Sequence, residues 1–305
     1  MTGRHLCITA GGGLGDQVCA EPVFRFMTEK WKDDIVVMTQ YPFLYRHLPI
    51  ICHDKPTSFY EQRLSIATHP WRDENDPWCF HRMHTVDYIS LRLLRRQLPI
   101  SAKTVQIVPS PEAYCQINEI LCDIDRSRMV LLHPGLSWSS KNLPLQCWQS
   151  YSDILRNEGY TVVLVGKNFI ANETDGDGSR RGVWPLEGSL DLTDKLNLDE
   201  FCALLSVSPV LITNDSAPVH LASAFDGWIG LIATCRDPSY IFPYRYGSQT
   251  YKCRSLERRR LYDDMFDFDP LAYLHWPILE ASETDLMEAS PMKEDILNWI
   301  NEILN

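Results

Sequence analysis

Three clusters in this 305-residue chain combine residue types and spacings that can do chemistry. The densest is Ile212-Thr213-Asn214-Asp215-Ser216-Ala217-Pro218-Val219-His220-Leu221-Ala222. A β-branched apolar run, Val210 to Thr213, stops in small polar residues, and an apolar helical pattern follows at once. Pro218 suits the first helical position, where a missing N–H leaves nothing unpaired, so Ala217 is the expected N-cap. Such a strand-turn-helix points backbone N–H groups and a positive dipole end at the carboxyl edge of a sheet, where α/β proteins bind anions. His220 falls at the third helical position. The dipole disfavours imidazolium there, so a neutral donor is expected rather than a base. The pattern predicts a phosphorylated ligand.

The second cluster is His133-Pro134-Gly135-Leu136-Ser137-Trp138-Ser139-Ser140-Lys141-Asn142-Leu143-Pro144. A strand ends in a glycine turn, and the hydroxyls of Ser137, Ser139 and Ser140 precede Lys141, a compact cation able to neutralise phosphate. The order Gly-Lys-Ser/Thr of a Walker loop is missing. The third cluster, Gly11-Gly12-Gly13-Leu14-Gly15-Asp16, fits the start of a dinucleotide fingerprint but carries Asp16 where the third glycine belongs. A carboxylate there repels a pyrophosphate, and Asp33 and Asp34 precede their strand instead of ending it, so nicotinamide and flavin binding are not expected. Asp16 has two readings that the turn leaves open: a base that accepts a proton from a substrate hydroxyl, or a helix cap.

Other candidates are weaker. Cys79, His81 and His84 have metal-like spacing without an evident fourth ligand. Asp175-Gly176-Asp177-Gly178 lacks the leading Asp of a calcium loop and meets Trp184 where the closing Glu belongs. Asp267-x-Asp269 follows Asp263 and Asp264, and such a run is more often a solvated face than a metal site. The clusters Arg92, Arg95, Arg96 and Arg258, Arg259, Arg260 fit a salt-bridged face or, more sharply, an anionic acceptor.

The elements that must position these residues are those of an α/β protein. Leu6 to Ala10 reads as a strand, a helix runs to about Lys32, and Ile35 to Thr39 is a second strand, which together make a βαβ unit. From Tyr41 to about Asp87 the pattern is irregular and rich in Pro, His, Trp and Tyr, and a helix is expected over Val86 to Gln97. A second βαβ series starts at Met129–Gly135. It continues with a helix at about Gln146 to Glu158, a strand at Thr161 to Val165, and a helix near Leu198 to Ser206. The strand Val210 to Thr213, the helix from Pro218, the strand Trp228 to Ala233 and a tail helix from about Met292 to Leu304 complete it.

The net charge of −11 argues against broad adhesion to nucleic acid or an anionic membrane. No stretch approaches the ~20 apolar residues of a membrane span. The N-terminus leads directly into a strand, and the ten cysteines form no Cys-x-x-Cys pair. Cys7, Cys19, Cys202 and Cys235 sit in apolar patterns, which predicts reduced thiols in a cytoplasmic protein. The Asn-x-Ser/Thr matches at Asn172 and Asn214 are then without consequence.

Taken together, these segments resemble the heptosyltransferase-type glycosyltransferases of family 9. The likeness rests on Gly15-Asp16 followed by Pro22, on Pro134-Gly135, Lys141 and Pro144, on Val162 to Gly166, and on Leu192-Thr193 and Leu198. It is strongest at Thr213-Asn214-Asp215-Ser216-x-Pro218-x-His220-Leu221-Ala222, covers nearly all of the C-terminal half, and is thin between Tyr41 and Ile100. The resemblance implies a GT-B fold of two facing Rossmann-like domains with a central cleft. The expected division is residues 1–125 for the acceptor, 126–290 for a nucleotide-sugar donor, and 291–305 as a helix packing back across the domains. Asp16 then looks like the general base, and Lys141 like a ligand of the donor phosphate. Ser137, Ser139, Ser140, Asn214, Asp215, Ser216, Ala217 and His220 complete the donor side. Gly13, Gly15, Arg63, Arg72 and Arg82 are the acceptor-side candidates.

Ala217 stands where the family usually has Gly, and its methyl narrows backbone approach to the donor. The expected activity is inverting, metal-independent sugar transfer (hexosyl, pentosyl or heptosyl) with no cofactor, onto a saccharide acceptor of lipopolysaccharide-core type. An alternative acceptor is a hydroxymethylated DNA base, as in bacteriophage glycosyltransferases. It is suggested by Tyr60, Arg63, Trp71, Arg72, Trp78 and Arg82, which suit stacking and phosphate contact. A nucleotide-sugar epimerase or a non-catalytic nucleotide-sugar binding protein are the alternatives of another class.

Overall fold

The computed structural model describes residues 5–10, 13–31, 34–53, 62–66, 83–136, 139–167, 182–235, 237–261 and 281–304. They fall into two compact units, Met1–Val108 with Pro243–Tyr251, and Pro109–Phe242 with Lys252–Asn305.

The first unit runs β1 (His5–Ala10), α1 (Leu14–Trp31), β2 (Asp34–Met38), β3 (Ile51–His53), β4 (Gln62–Ile66) and α2 (Thr85–Leu94). Its strands are all parallel, in the order β3-β2-β1-β4. Ile8, Ile35, Val36 and Val37 are fully buried, as the interior strands of a parallel sheet require. The stretch read as irregular contains β3 and β4, which are three and five residues long, too short for an alternating pattern to register. α2 stops three residues before the expected Gln97, because Arg95 takes a left-handed conformation at its C-cap. His84 caps its other end, with Nδ1 accepting the Val86 N–H at 3.2 Å.

The segment Pro243–Tyr251 packs on this unit through buried polar groups. The Tyr244 hydroxyl donates to Asp87 Oδ2 at 2.8 Å, and Lys103 Nζ lies 2.6 Å from Asp87 Oδ1. The same ammonium sits 4.5 Å from the centroid of the Tyr244 ring. Burial, then the Asp87 carboxylate, push the Tyr244 hydroxyl well above its ordinary pKa.

The second unit adds α3 (Pro111–Ile120), β5 (Met129–His133), α4 (Leu145–Asn157), β6 (Thr161–Leu164), β7 (Leu190–Asp191), α5 (Leu198–Val207), β8 (Val210–Asn214), α6 (Ala217–Ala222), β9 (Trp228–Ile232) and β10 (Cys253–Ser255). Two helices close it, α7 (Glu283–Ala289) and α8 (Lys293–Leu304). The strands are parallel in the order β10-β9-β8-β5-β6-β7. Counted from β5 this is the doubly wound order 3-2-1-4-5-6, whose direction of winding reverses between β5 and β8.

The sequence reading divided the chain at residue 125, whereas here residues 109–125 go with the second unit. Their helix α3 packs on α5, and the Ser110 N–H donates to Asp199 Oδ1 at 3.1 Å. The expected C-terminal helix joins the same unit's core. Ile296, Trp299 and Ile300 of α8 are buried with Trp148 and Tyr151 of α4, and Tyr160 Oη donates to Asn301 Oδ1 at 2.7 Å. Among the described cysteines, Cys19, Cys202 and Cys235 are buried and form no disulfide, as their apolar settings predict. Among the described residues no helix is long and apolar enough to cross a membrane.

Candidate active site

The carboxyl ends of β5 and β8 lie side by side, with His133 paired in register to Thr213. This is the switch point, where the loops after the two strands diverge and leave room for a ligand. Two of the three sequence clusters meet there. The Asn214 side chain, fully buried, donates from Nδ2 to the Gly135 carbonyl at 2.6 Å and to the Lys141 carbonyl at 3.1 Å. Glycine is required at 135, since a Cβ there would stand 2.5 Å from His133 Cε1 and 3.0 Å from Asn214 Oδ1. The Thr234 hydroxyl, just beyond β9, donates to the Ser140 carbonyl at 2.6 Å. The short turn Ser139–Lys141 is thus tied to two strand ends. A buried amide oriented this way has no use for glycosylation, so the sequence match at Asn214 is set aside.

The turn delivers Lys141 to Asp215. Lys141 Nζ lies 2.6 Å from Asp215 Oδ2, and the two side chains are 12% and 9% exposed. Beside the pair, His133 Nδ1 is 3.2 Å from Thr213 Oγ1 and 3.3 Å from Ser216 Oγ. Burial lowers the His133 pKa to about 4, which keeps the imidazole neutral. Ser140 is fully buried, and its hydroxyl has no hydrogen-bond partner among the described residues. Ser216, Ala217 and His220 are part-exposed at the rim.

One expectation about the helix is corrected. Its N-cap is Ser216, not Ala217, and Pro218 takes the second helical position. Ser216 has the extended backbone of a cap, φ −155 and ψ 174, and its side chain makes no capping bond because it is engaged elsewhere in the site. His220 is therefore the fourth helical residue. With six residues α6 is ~9 Å long, so anion attraction there rests on local N–H groups and Lys141 more than on a macrodipole.

The third cluster lies in the first unit. Gly13 caps α1, Gly15 is in its first turn, and Asp16 Oδ2 accepts the Gly13 N–H at 3.0 Å. This is half of a capping box, so the capping role of Asp16 is realised. Arg63 lies on β4. Its side chain, those of Ser137 and Ser139, and the residues Arg72 and Arg82 lie outside the described residues, as do Cys79, His81, Asn172, Asp175–Gly178, Asp263, Asp264, Asp267 and Asp269. Among the described residues no three His, Cys, Asp or Glu side chains cluster to hold a metal. The Arg258–Arg260 run takes the bland reading. Arg259 pairs with Glu288 at 2.6 Å, and Arg260 with Asp237 at 2.8 Å. Arg96 stacks 5.5 Å from the Phe26 ring centroid.

Residues 97–244 match the family model described as Glycosyltransferase family 9 (heptosyltransferase), a span that contains every residue of the switch-point site. No curated protein matches the sequence. Among solved structures, the glycosyl transferase family 9 protein from Veillonella parvula DSM 2008 is 14% identical with a TM-score of 0.65, over 99% of this chain and 97% of that one. The ADP-heptose LPS heptosyltransferase II of E. coli is 15% identical with a TM-score of 0.63, over 98% of each chain. The iron-containing dodecameric glycosyltransferase TibC from enterotoxigenic E. coli H10407 is 15% identical with a TM-score of 0.65, over 99% of this chain and 77% of that one. At such identities the likeness establishes a shared fold across nearly the whole chain.

Proposed function

We propose, from the premise that residues 97–244 belong to glycosyltransferase family 9, that this chain moves a sugar from a nucleoside-diphosphate donor to an acceptor hydroxyl with inversion and without a metal. The observation that carries the reading is the Lys141–Asp215 pair at the switch point of a doubly wound sheet. A cation held at a strand end suits a diphosphate, and a carboxylate beside it suits sugar hydroxyls. A fold relative, TibC, has been solved with ADP-D-β-D-heptose, which supports a nucleotide-sugar donor.

In this mechanism Asp16 takes the acceptor proton as the acceptor oxygen attacks the anomeric carbon. The bond from that carbon to the diphosphate oxygen breaks on the opposite face, and the electron pair leaves with the nucleoside diphosphate. Lys141 and the N–H groups at the start of α6 stabilise the departing charge, the role a divalent ion plays elsewhere. The acceptor of choice is a saccharide of lipopolysaccharide-core type. The DNA-base alternative gains nothing, because the aromatic and Arg side chains that suggested it lie outside the described residues.

The test incubates the protein with a panel of nucleoside-diphosphate sugars, with glycan acceptors or hydroxymethylated DNA, in EDTA or in Mg²⁺, and follows nucleoside diphosphate release. Acceptor-dependent release on glycans in EDTA is expected. Release only with DNA moves the acceptor, an epimerised donor without release indicates an epimerase, and strict Mg²⁺ dependence overturns the metal-free step.

A further inference from the structure

His133 stands at the switch point with no part in the transfer scheme above. Its Nδ1, Thr213 Oγ1 and Ser216 Oγ form a closed triangle with edges of 3.2, 3.3 and 3.2 Å. Both hydroxyls also reach Asn214. Thr213 Oγ1 donates to its carbonyl at 3.0 Å, and Ser216 Oγ lies 3.2 Å from its Oδ1. Two glycines make room for the ring. A Cβ at Gly135 would stand 2.9 Å from His133 Nδ1, and one at Gly166 would stand 3.2 Å from Cδ2. Gly166 moreover has φ +136, a conformation that only glycine adopts freely. Gly135 leaves space for the imidazole, and Gly166 leaves space for both the imidazole and Val183, whose Cγ1 a Cβ there would strike.

The orientation of the imidazole matters for Asp215. The residue before it, Asn214, is fixed by its own amide bonds to the loop after β5. The residue after it, Ser216, has its side chain fixed at Asn214 and His133. Asp215 is bracketed by these two anchors, and its carboxylate reaches Lys141 from between them.

We infer that His133 is a positioning residue of the donor site, whose Nδ1 holds the Thr213 and Ser216 hydroxyls and through them the Asn214–Asp215–Ser216 turn. The inference rests on the transferase reading insofar as that turn is read as the donor's. Loss of such positioning is worth up to about 100-fold in kcat/KM without removing any reacting group.

The experiment compares His133→Asn, His133→Gln and His133→Leu. Asn places a polar atom near the Nδ1 position, Gln near the Nε2 position, and Leu neither. Donor KM is expected to stay near wild type in H133N and to rise at least about tenfold in H133Q and H133L, with acceptor KM unchanged. Because H133L risks misfolding, Ser216→Ala is read in parallel. It should raise donor KM alone, and the H133L/S216A double variant should be no worse than its worse parent. Additive losses, or wild-type donor KM in all three His133 variants, overturn the inference. Calorimetric Kd values for ADP, GDP and UDP give the same comparison without turnover. A wild type that binds one of them yet transfers nothing overturns the transferase reading and leaves His133 to be judged on variant Kd. A wild type that binds none overturns both.

Discussion

Lys141 Nζ and Asp215 Oδ2 lie 2.6 Å apart with both side chains about nine-tenths buried, so the cation proposed to face the donor already has a counter-charge. A diphosphate must share Lys141 with Asp215 rather than meet a bare charge. Lys141→Met removes the attraction and also leaves a carboxylate that repels the donor. The expected loss is about 10²- to 10³-fold in kcat/KM, as for other single electrostatic donors. Asp215→Asn added to Lys141→Met should recover part of the lost donor affinity. Steady-state kinetics over donor concentration measure both, and equal donor KM in the single and double variants would show that the pair does not act on the donor.

Asp16 is separated from its cap by a substitution that keeps one role and removes the other. Asp16→Asn retains an oxygen for the Gly13 N–H, a bond of 3.0 Å, but no basic carboxylate. A base is worth about 10²- to 10⁴-fold. The kcat of D16N should fall by that factor with donor Kd and melting temperature unchanged. Near-normal turnover would leave Asp16 a helix cap only.

The parallel strands and the helices between them were legible because buried strands read as unbroken apolar runs and helix starts carry their own chemistry. Val210 to Thr213 became β8, and Asn197 with Glu200 forms a capping box at the start of α5. Lys141 and Asp215 were both visible as ligand candidates, but not their contact, which depends on Asn214 binding two carbonyls across 79 and 73 residues of sequence. His133 was overlooked as a site residue because a strand-end histidine looks like a boundary. Its signal lay in Gly135, next but one in sequence, and in the remote Gly166, whose closeness to the ring appears only when β5 and β6 pair. The helix Pro111–Ile120 had a local signal that went unread, the Ser110-Pro111-Glu112 start, with Ser110 Oγ accepting the Ala113 N–H at 3.1 Å.

The part-buried imidazole of His133 should leave a mark on acid stability. Its folded pKa of about 4 lies below the ordinary 6.5, so the unfolded chain takes up the proton first. The stabilisation is therefore complete above pH 6.5 and is lost as pH falls toward 4. The gap corresponds to about 3 kcal/mol. Chemical denaturation of wild type and H133N at pH 7 and pH 4 measures it. The stability difference between them should shift against the wild type by about that amount at the lower pH. A pH-independent difference would mean that the imidazole is not held neutral.

Asp87, Lys103 and Tyr244 bind the returning segment Pro243–Tyr251 to the first unit, and all three are buried. Tyr244→Phe removes one hydrogen bond to a carboxylate and should cost about 1.5–3 kcal/mol. Asp87→Asn strips the charge from the partner of a buried ammonium and should cost more, about 3–5 kcal/mol. Asp87→Leu with Lys103→Met removes both charges and should recover much of that loss. With two units in one chain a single melting transition is a poor gauge, so amide hydrogen exchange is the measurement of choice. Faster exchange confined to α2 and the 243–251 segment is the expected signature in Y244F. Uniform acceleration over both units, or none at all, would show that this network does not anchor the segment.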